Sequence, residues 1–147
     1  MRSLVLSGSM VLVDLSVWLE ALRREGRLEI KLAVESLLEA DEAMICEPVR
    51  LRVLGGARPE DREQVSQSLA FLPVRPCDGE DWNRATRLTW KCLDAGLAIS
   101  PDHALVASMA LHDGIRLFSS DEVFRRISPL AGLTLYAPGR GGVFQPA

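Results

Sequence analysis

Four short stretches of this chain carry side chains able to hold a hard cation or move a proton. Val11-Leu12-Val13-Asp14 ends an apolar run on a carboxylate, and Ile45-Cys46-Glu47-Pro48 does the same. Ser100-Pro101-Asp102-His103 sets an acid beside an imidazole, and Leu117-Phe118-Ser119-Ser120-Asp121 supplies a further acid. Three consecutive aliphatics at 11–13, two of them β-branched, read as a strand buried on both faces. An acid just past the carboxyl end of such a strand lies in the crevice where open α/β sheets place their ligands. Oxygen donors there suit a hard divalent ion, so Asp14 is a candidate metal ligand. The alternative is purely local: Asp14 helps to cap the helix that follows, a task for which Ser16 is also suited.

The elements that would position these groups alternate along the chain. After the first strand the pattern predicts a helix over 16–24, a break at Gly26, and an amphipathic helix through Leu32, Leu37 and Leu38. Ala43-Met44-Ile45-Cys46 is a second strand, and Pro48 stands at the first position of a helix stopped by Gly55-Gly56. Pro59-Glu60-Asp61 opens a helix reaching about residue 71. The two prolines of Pro73-Val74-Arg75-Pro76 confine that segment to a sheet edge. A long helix over 78–95 carries Trp82 and Trp90, and a strongly apolar one runs from Ser100-Pro101 to Gly114. Ile115-Arg116-Leu117-Phe118 is the next strand, 121–127 a short helix, and Leu133-Thr134-Leu135-Tyr136 a last strand. Strands alternating with helices predict an α/β fold: a mostly parallel central sheet with helices on both faces, since parallel neighbours need crossovers. The sheet's carboxyl edge then gathers Asp14, the helix starts at Pro48 and Pro101, and Asp121.

Length and composition bound the function. A chain of 147 residues with 48% hydrophobic and 25% charged residues suits one domain with one core. The division expected is a leader or remnant at 1–9, a single domain at 10–137 and a flexible tail at 138–147. A net charge of −3 argues against coating nucleic acid by bulk electrostatics, so any RNA contact must be local. Arg23-Arg24 and Arg125-Arg126 read as ordinary solvated charge, with phosphate contact as the alternative. Cys46, Cys77 and Cys92 form no CxxC pair, which points to reduced, cytoplasmic thiols. No stretch is long and apolar enough to cross a membrane. The signatures GxGxxG, GxxxxGK and GxSxG are missing, and with them the dinucleotide, P-loop and hydrolase-elbow readings.

Val13-Asp14-Leu15-Ser16-Val17-Trp18, Ile45-Cys46-Glu47-Pro48-Val49 with Gly56-Ala57-Arg58, Ala104-Leu105-Val106-Ala107 with Gly114, and Leu117-Phe118-Ser119-Ser120-Asp121 with Phe124 resemble, in order and spacing, a PIN domain of the VapC toxin type. The resemblance spans residues 10 to about 136. It implies a compact α/β ribonuclease whose acidic pocket binds magnesium or manganese, that dimerises, and that an antitoxin-like protein silences. It also implies four pocket acids: one after the first strand, a Glu in the helix after the second, an Asp opening the apolar helix, and an Asp after the fourth strand. Asp14 and Asp121 match the first and last. At the other two positions this chain departs, with Arg52 in place of the Glu and His103 in place of the Asp.

Asp102 precedes the expected register by one residue, about 100° of helix, so it is expected to point elsewhere unless the first turn is irregular. His103 is a softer ligand than a hard magnesium ion prefers. Arg52 exchanges a negative for a positive group, and its guanidinium is expected to neutralise Asp14 and Asp121. Glu47, close to the end of the second strand, is a candidate substitute ligand. Trp18, Trp82 and Trp90 are read as core and interface residues rather than stacking platforms, and a homodimer is the default assembly.

Two function classes remain open. One is a metal-dependent endoribonuclease whose catalytic set is rebuilt from Asp14, Asp102 and Asp121, with Asp14 and Asp121 as the metal ligands. The other is a non-catalytic relative that binds RNA or an antitoxin-like protein, with no ion bound. The resemblance combined with the two exchanged positions favours a nuclease scaffold with impaired chemistry.

Overall fold

A computed structural model describes residues 9–139. The proposed leader at 1–9 and tail at 138–147 therefore lie almost wholly outside the described residues.

Four strands form one parallel sheet in the order β3-β2-β1-β4: β1 (Val11–Val13), β2 (Ala43–Cys46), β3 (Val74–Arg75) and β4 (Arg116–Phe118). Every residue of β1 and β2 is buried. Because successive side chains point to opposite faces, both faces of the central strands must be covered. Seven helices among the described residues provide that cover: α1 (Leu15–Leu22), α2 (Leu28–Glu39), α3 (Glu47–Gly55), α4 (Arg62–Leu69), α5 (Gly79–Asp94), α6 (Pro101–Asp113) and α7 (Val123–Ala131). The fold is the expected α/β arrangement with β1 in the interior of the sheet and the proline-flanked β3 at its edge.

Local chemistry explains the boundaries. Gly26 lets the chain between α1 and α2 pass close to Glu20, where an added Cβ would stand 1.8 Å from the Glu20 carbonyl oxygen. Asp78 accepts from the Asp81 backbone N–H while the Asp81 carboxylate accepts from that of Asp78, a reciprocal cap that starts α5. Ser100 caps α6, accepting from the His103 N–H at 3.2 Å, and Gly114 ends it in the left-handed region. From Ala104 to Ala110 every α6 residue is buried, so this helix is enclosed on all sides.

Some elements differ from expectation. The helix from Pro59 splits into a 3₁₀ turn (Pro59–Asp61) and α4. The segment from Leu133 lies along β4 but makes one bridge, Leu117 to Leu135, rather than a strand. The last helix starts later than 121, because Asp121 Oδ1 accepts the Val123 N–H at 3.2 Å and shapes a turn ahead of it. Trp18 is core, its indole donating to the Val13 carbonyl at 2.9 Å, but Trp82 and Trp90 are 54% and 61% exposed. Both lie on a surface face of α5, so of the core and interface reading the core part applies to Trp18 and not to these two.

Candidate active site

Strand order 3-2-1-4 means that the chain adds β2 and β3 on one side of β1 and then returns to the other side for β4. Connections leaving β1 and β4 diverge there, which opens a crevice at their carboxyl ends. A cavity of about 370 Å³ occupies it, lined among others by Asp14, Ser16, Arg52, Asp102, His103 and Asp121. The residues singled out from the sequence thus converge on one pocket, with Glu47 the exception.

Asp14 forms the floor. Its backbone N–H donates to the Phe118 carbonyl at 2.9 Å, and its carbonyl accepts from Val17 and Trp18 to begin α1. Its carboxylate takes no part in that cap. Only 6% exposed, Asp14 accepts at Oδ2 from Ser119 Oγ at 2.8 Å and from Ser16 Oγ at 3.1 Å. Both capping expectations are corrected here: the Asp14 side chain turns to the pocket, and Ser16 lies inside the first turn rather than before it. The Ser16 hydroxyl also accepts from the Ser120 backbone N–H at 3.0 Å. Ser119 Oγ likewise accepts from the Asp121 backbone N–H at 3.0 Å. One hydroxyl thus links the Asp14 carboxylate to the Asp121 backbone, which carries both acids to the same edge of the sheet. Neither serine role was foreseen, although a hydroxyl two residues after one acid and another two before the next was a readable signal.

Asp121 and His103 make the second pair. Asp121 Oδ2 lies 2.9 Å from His103 Nε2. An ionised carboxylate only accepts, so Nε2 carries the proton and donates. The ring meets Phe124 edge-on, with centroids 5.2 Å apart and an interplanar angle of 84°. His103, reached as a register substitution, is a partner of the acid that does match.

Arg52 corrects the sequence expectation most directly. Its guanidinium contacts neither Asp14 nor Asp121; Nη1 donates to Asp102 Oδ2. Arg52 and Asp102 are 56% and 57% exposed, at the rim, while Asp14 lies beneath them already satisfied by two hydroxyls. The rotation of one residue does turn Asp102 aside, to the boundary between this pocket and the neighbouring groove. Glu47 faces that groove as well, accepting from the Cys77 backbone N–H at 2.6 Å, and so cannot replace a pocket ligand.

As arranged, the pocket acids do not converge on a common point. Among the described residues no group of three or more His, Cys, Asp or Glu converges to hold a metal ion. Asp14 Oδ2 faces two hydroxyls, Asp121 an imidazole and Asp102 a guanidinium. What the pocket presents is a set of carboxylates each engaged by a protein donor.

Comparison with known proteins agrees with this fold. The family described as PIN domain matches residues 11–129. VapC ribonuclease Mb1587 of Mycobacterium bovis is 29% identical over 131 residues, covering 84% of this chain and 96% of that relative. The solved structure of FitAB bound to the IR36 DNA fragment has a TM-score of 0.73 at 16% identity, over 93% of this chain and 99% of that one. VapBC-5 from Mycobacterium tuberculosis, described as a member of a family of toxin-antitoxin systems, has a TM-score of 0.61 at 18% identity, over 86% and 97%. At such identities the two structures speak for the fold alone. With a family match across most of its length and a pocket at the carboxyl edge of a 3-2-1-4 parallel sheet, this chain belongs to the PIN domain family.

Proposed function

We propose that this protein is a VapC-type PIN toxin that receives RNA in the pocket over Asp14, and that its metal-dependent phosphodiester hydrolysis is impaired. The observation that carries this reading is the double pairing at the pocket: His103 on Asp121 at 2.9 Å, and Arg52 on Asp102. Cleavage with magnesium or manganese needs oxygen donors free to hold an ion while charge builds on the phosphate. Here Asp14 and Asp121 remain in the family register as the metal ligands, and Asp102 is the third catalytic candidate. Arg52 and His103 stand where two more acids are expected. Like-charged carboxylates ordinarily resist one another and are reconciled by the ion; donors already balancing them reduce the free energy available for ion binding.

The likeness to VapBC toxin-antitoxin proteins supports an antitoxin-like protein partner, and a twofold pair is the default assembly for such a domain. The three free thiols, Cys46, Cys77 and Cys92, support a reducing, cytoplasmic setting. Among the described residues no helix is long and apolar enough to cross a membrane.

The test compares three proteins on one RNA in magnesium and in manganese: the parent, Asp14→Ala, and the triple variant Arg52→Glu, Asp102→His, His103→Asp, which restores both acids to register. The expected result is weak or no cleavage by the parent, clear cleavage by the triple variant and none by Asp14→Ala, with manganese titration showing tighter binding by the triple variant. Robust parent activity that vanishes in Asp14→Ala would show the site to be competent as it stands. RNA or antitoxin binding with no cleavage by any of the three would instead identify a non-catalytic relative.

A further inference from the structure

The pocket does not end at Arg52. The Arg52–Asp102 pair and Pro48 are shared with an adjoining groove of about 680 Å³, lined also by Arg50, Leu51 and Trp82. Trp82 and Leu105 are shared in turn with a third hollow, of about 220 Å³, along α5 and the start of α6, where Trp90 stands. Shared lining residues therefore set three hollows side by side, from the Asp14 floor to the Trp90 indole.

The chemistry along this path is graded. Near the pocket stand two guanidinium groups. Arg50 has no ion-pair partner among the described residues, and Arg52 is held by a single acid. The acids beside them are engaged, Glu47 by the Cys77 N–H and Asp102 by Arg52. Farther out no charged residue lines the hollow at Trp82 and Trp90. Its threonine hydroxyls are turned inward, Thr86 donating to the Trp82 carbonyl at 3.0 Å and Thr89 to that of Ala85 at 2.9 Å. What is offered to solvent is indole surface. Large exposed apolar surface at a groove marks an interaction site, and eight residues of helix separate the two indoles by about 12 Å along the axis.

We infer that this path is a binding track for single-stranded RNA, in which Arg50 and Arg52 take phosphates at the pocket mouth and Trp82 and Trp90 stack unpaired bases. Cations for the backbone followed by aromatic faces for the bases is how sequence-tolerant single-strand sites are built. The local cations also answer how a chain of net charge −3 can hold a polyanion. Adjacency to the pocket and Arg50, which has no ion-pair partner among the described residues, favour a nucleic acid here over an apolar partner. The inference rests on the reading that the pocket receives RNA.

The test is fluorescence anisotropy of a labelled oligouridylate of about 12 nucleotides, in EDTA so that no metal-dependent cleavage intervenes, with sedimentation of each protein run in parallel. Trp82→Ala and Trp90→Ala together should weaken binding at least tenfold. Trp82→Phe with Trp90→Phe should keep most of the affinity while abolishing the quenching of tryptophan emission by RNA, since Trp18 is buried. Arg50→Gln should flatten the dependence of log K on log salt by roughly one phosphate contact, about 0.7 in slope for a single strand. Unchanged affinity in the double alanine variant, with the parent still binding RNA, overturns the track and leaves the pocket reading intact. Absence of binding by the parent overturns both. Loss of a dimer on replacing the tryptophans, with or without a change in RNA affinity, assigns the face to a second copy of the chain and overturns the track.

Discussion

Two sets of ion pairs in this molecule use the same chemical groups with opposite consequences. In the first, Arg75 on β3 donates to Asp81 at 2.5 Å and to Asp113 at 2.8 Å, and Arg84 donates to Asp81 at 2.8 Å. Asp81 has no solvent exposure, and the set ties the edge strand to α5 and α6. In the second, Arg52 meets Asp102 at the pocket rim with more than half of each side chain in water. A buried charge that loses its partner is stranded, whereas an exposed one is simply resolvated. The first set is therefore a fastening and the second an exchangeable contact. A guanidinium can be lent to a ligand only where its release costs little, and the candidate site lies where that condition holds.

The largest test of this contrast is Asp81→Ala. It removes the common acceptor of Arg75 and Arg84 along with half of the α5 capping box, and should cost about 3–5 kcal/mol. Urea unfolding at neutral pH measures it. A loss below about 1 kcal/mol would erase the distinction between the two sets.

Acid sharpens the comparison next. Burial alone would raise the Asp81 carboxyl pKa, but hydrogen bonds from Arg75, the Asp78 backbone and Arg84 hold it well below the usual carboxylate range. The unfolded chain, with an ordinary Asp near pKa 4, then takes up the proton first as pH falls. Stability from this carboxylate is complete above pH about 4 and declines as pH drops toward the depressed folded value. Unfolding free energies collected between neutral and strongly acidic pH should show that decline in the parent, with a shallower one in Asp81→Asn.

The smallest effect belongs to the rim. Arg52→Gln should change stability by less than about 1 kcal/mol at low salt and by almost nothing in molar salt, where screening reaches about 3 Å. A larger loss, or one that salt does not abolish, would place Arg52 among the structural pairs and remove it from the exchangeable ones.

Much of the scaffold was legible in the chain. The β-branched run at 11–13, the prolines around Val74, the Ser100-Pro101 start and the Gly114 stop report their own local conformation, because burial pattern, missing N–H groups and left-handed backbone are properties of residues and near neighbours. The convergence of Asp14, Asp102, His103, Arg52 and Asp121 on one crevice was legible too, since a parallel sheet with crossover helices leaves its strand ends on one edge.

What the chain alone left open was which of these groups touch. Arg52 pairs with Asp102 rather than with the acids beneath it, since its place on the third helix brings its guanidinium to the rim and not to the floor. Ser16 and Ser119, 103 residues apart, close over Asp14 only because β1 and β4 are sheet neighbours. Arg75, Asp81, Arg84 and Asp113 come together across β3, α5 and α6 for the same kind of reason. The sequence by itself determined the elements, their order and the identity of the charged groups, all of which follow from local propensity and periodicity. Only the tertiary structure decided the pairings and their exposure, because hydrogen-bond geometry falls off within tenths of an ångström and the value of a charge pair depends on how much water the surrounding helices leave around it.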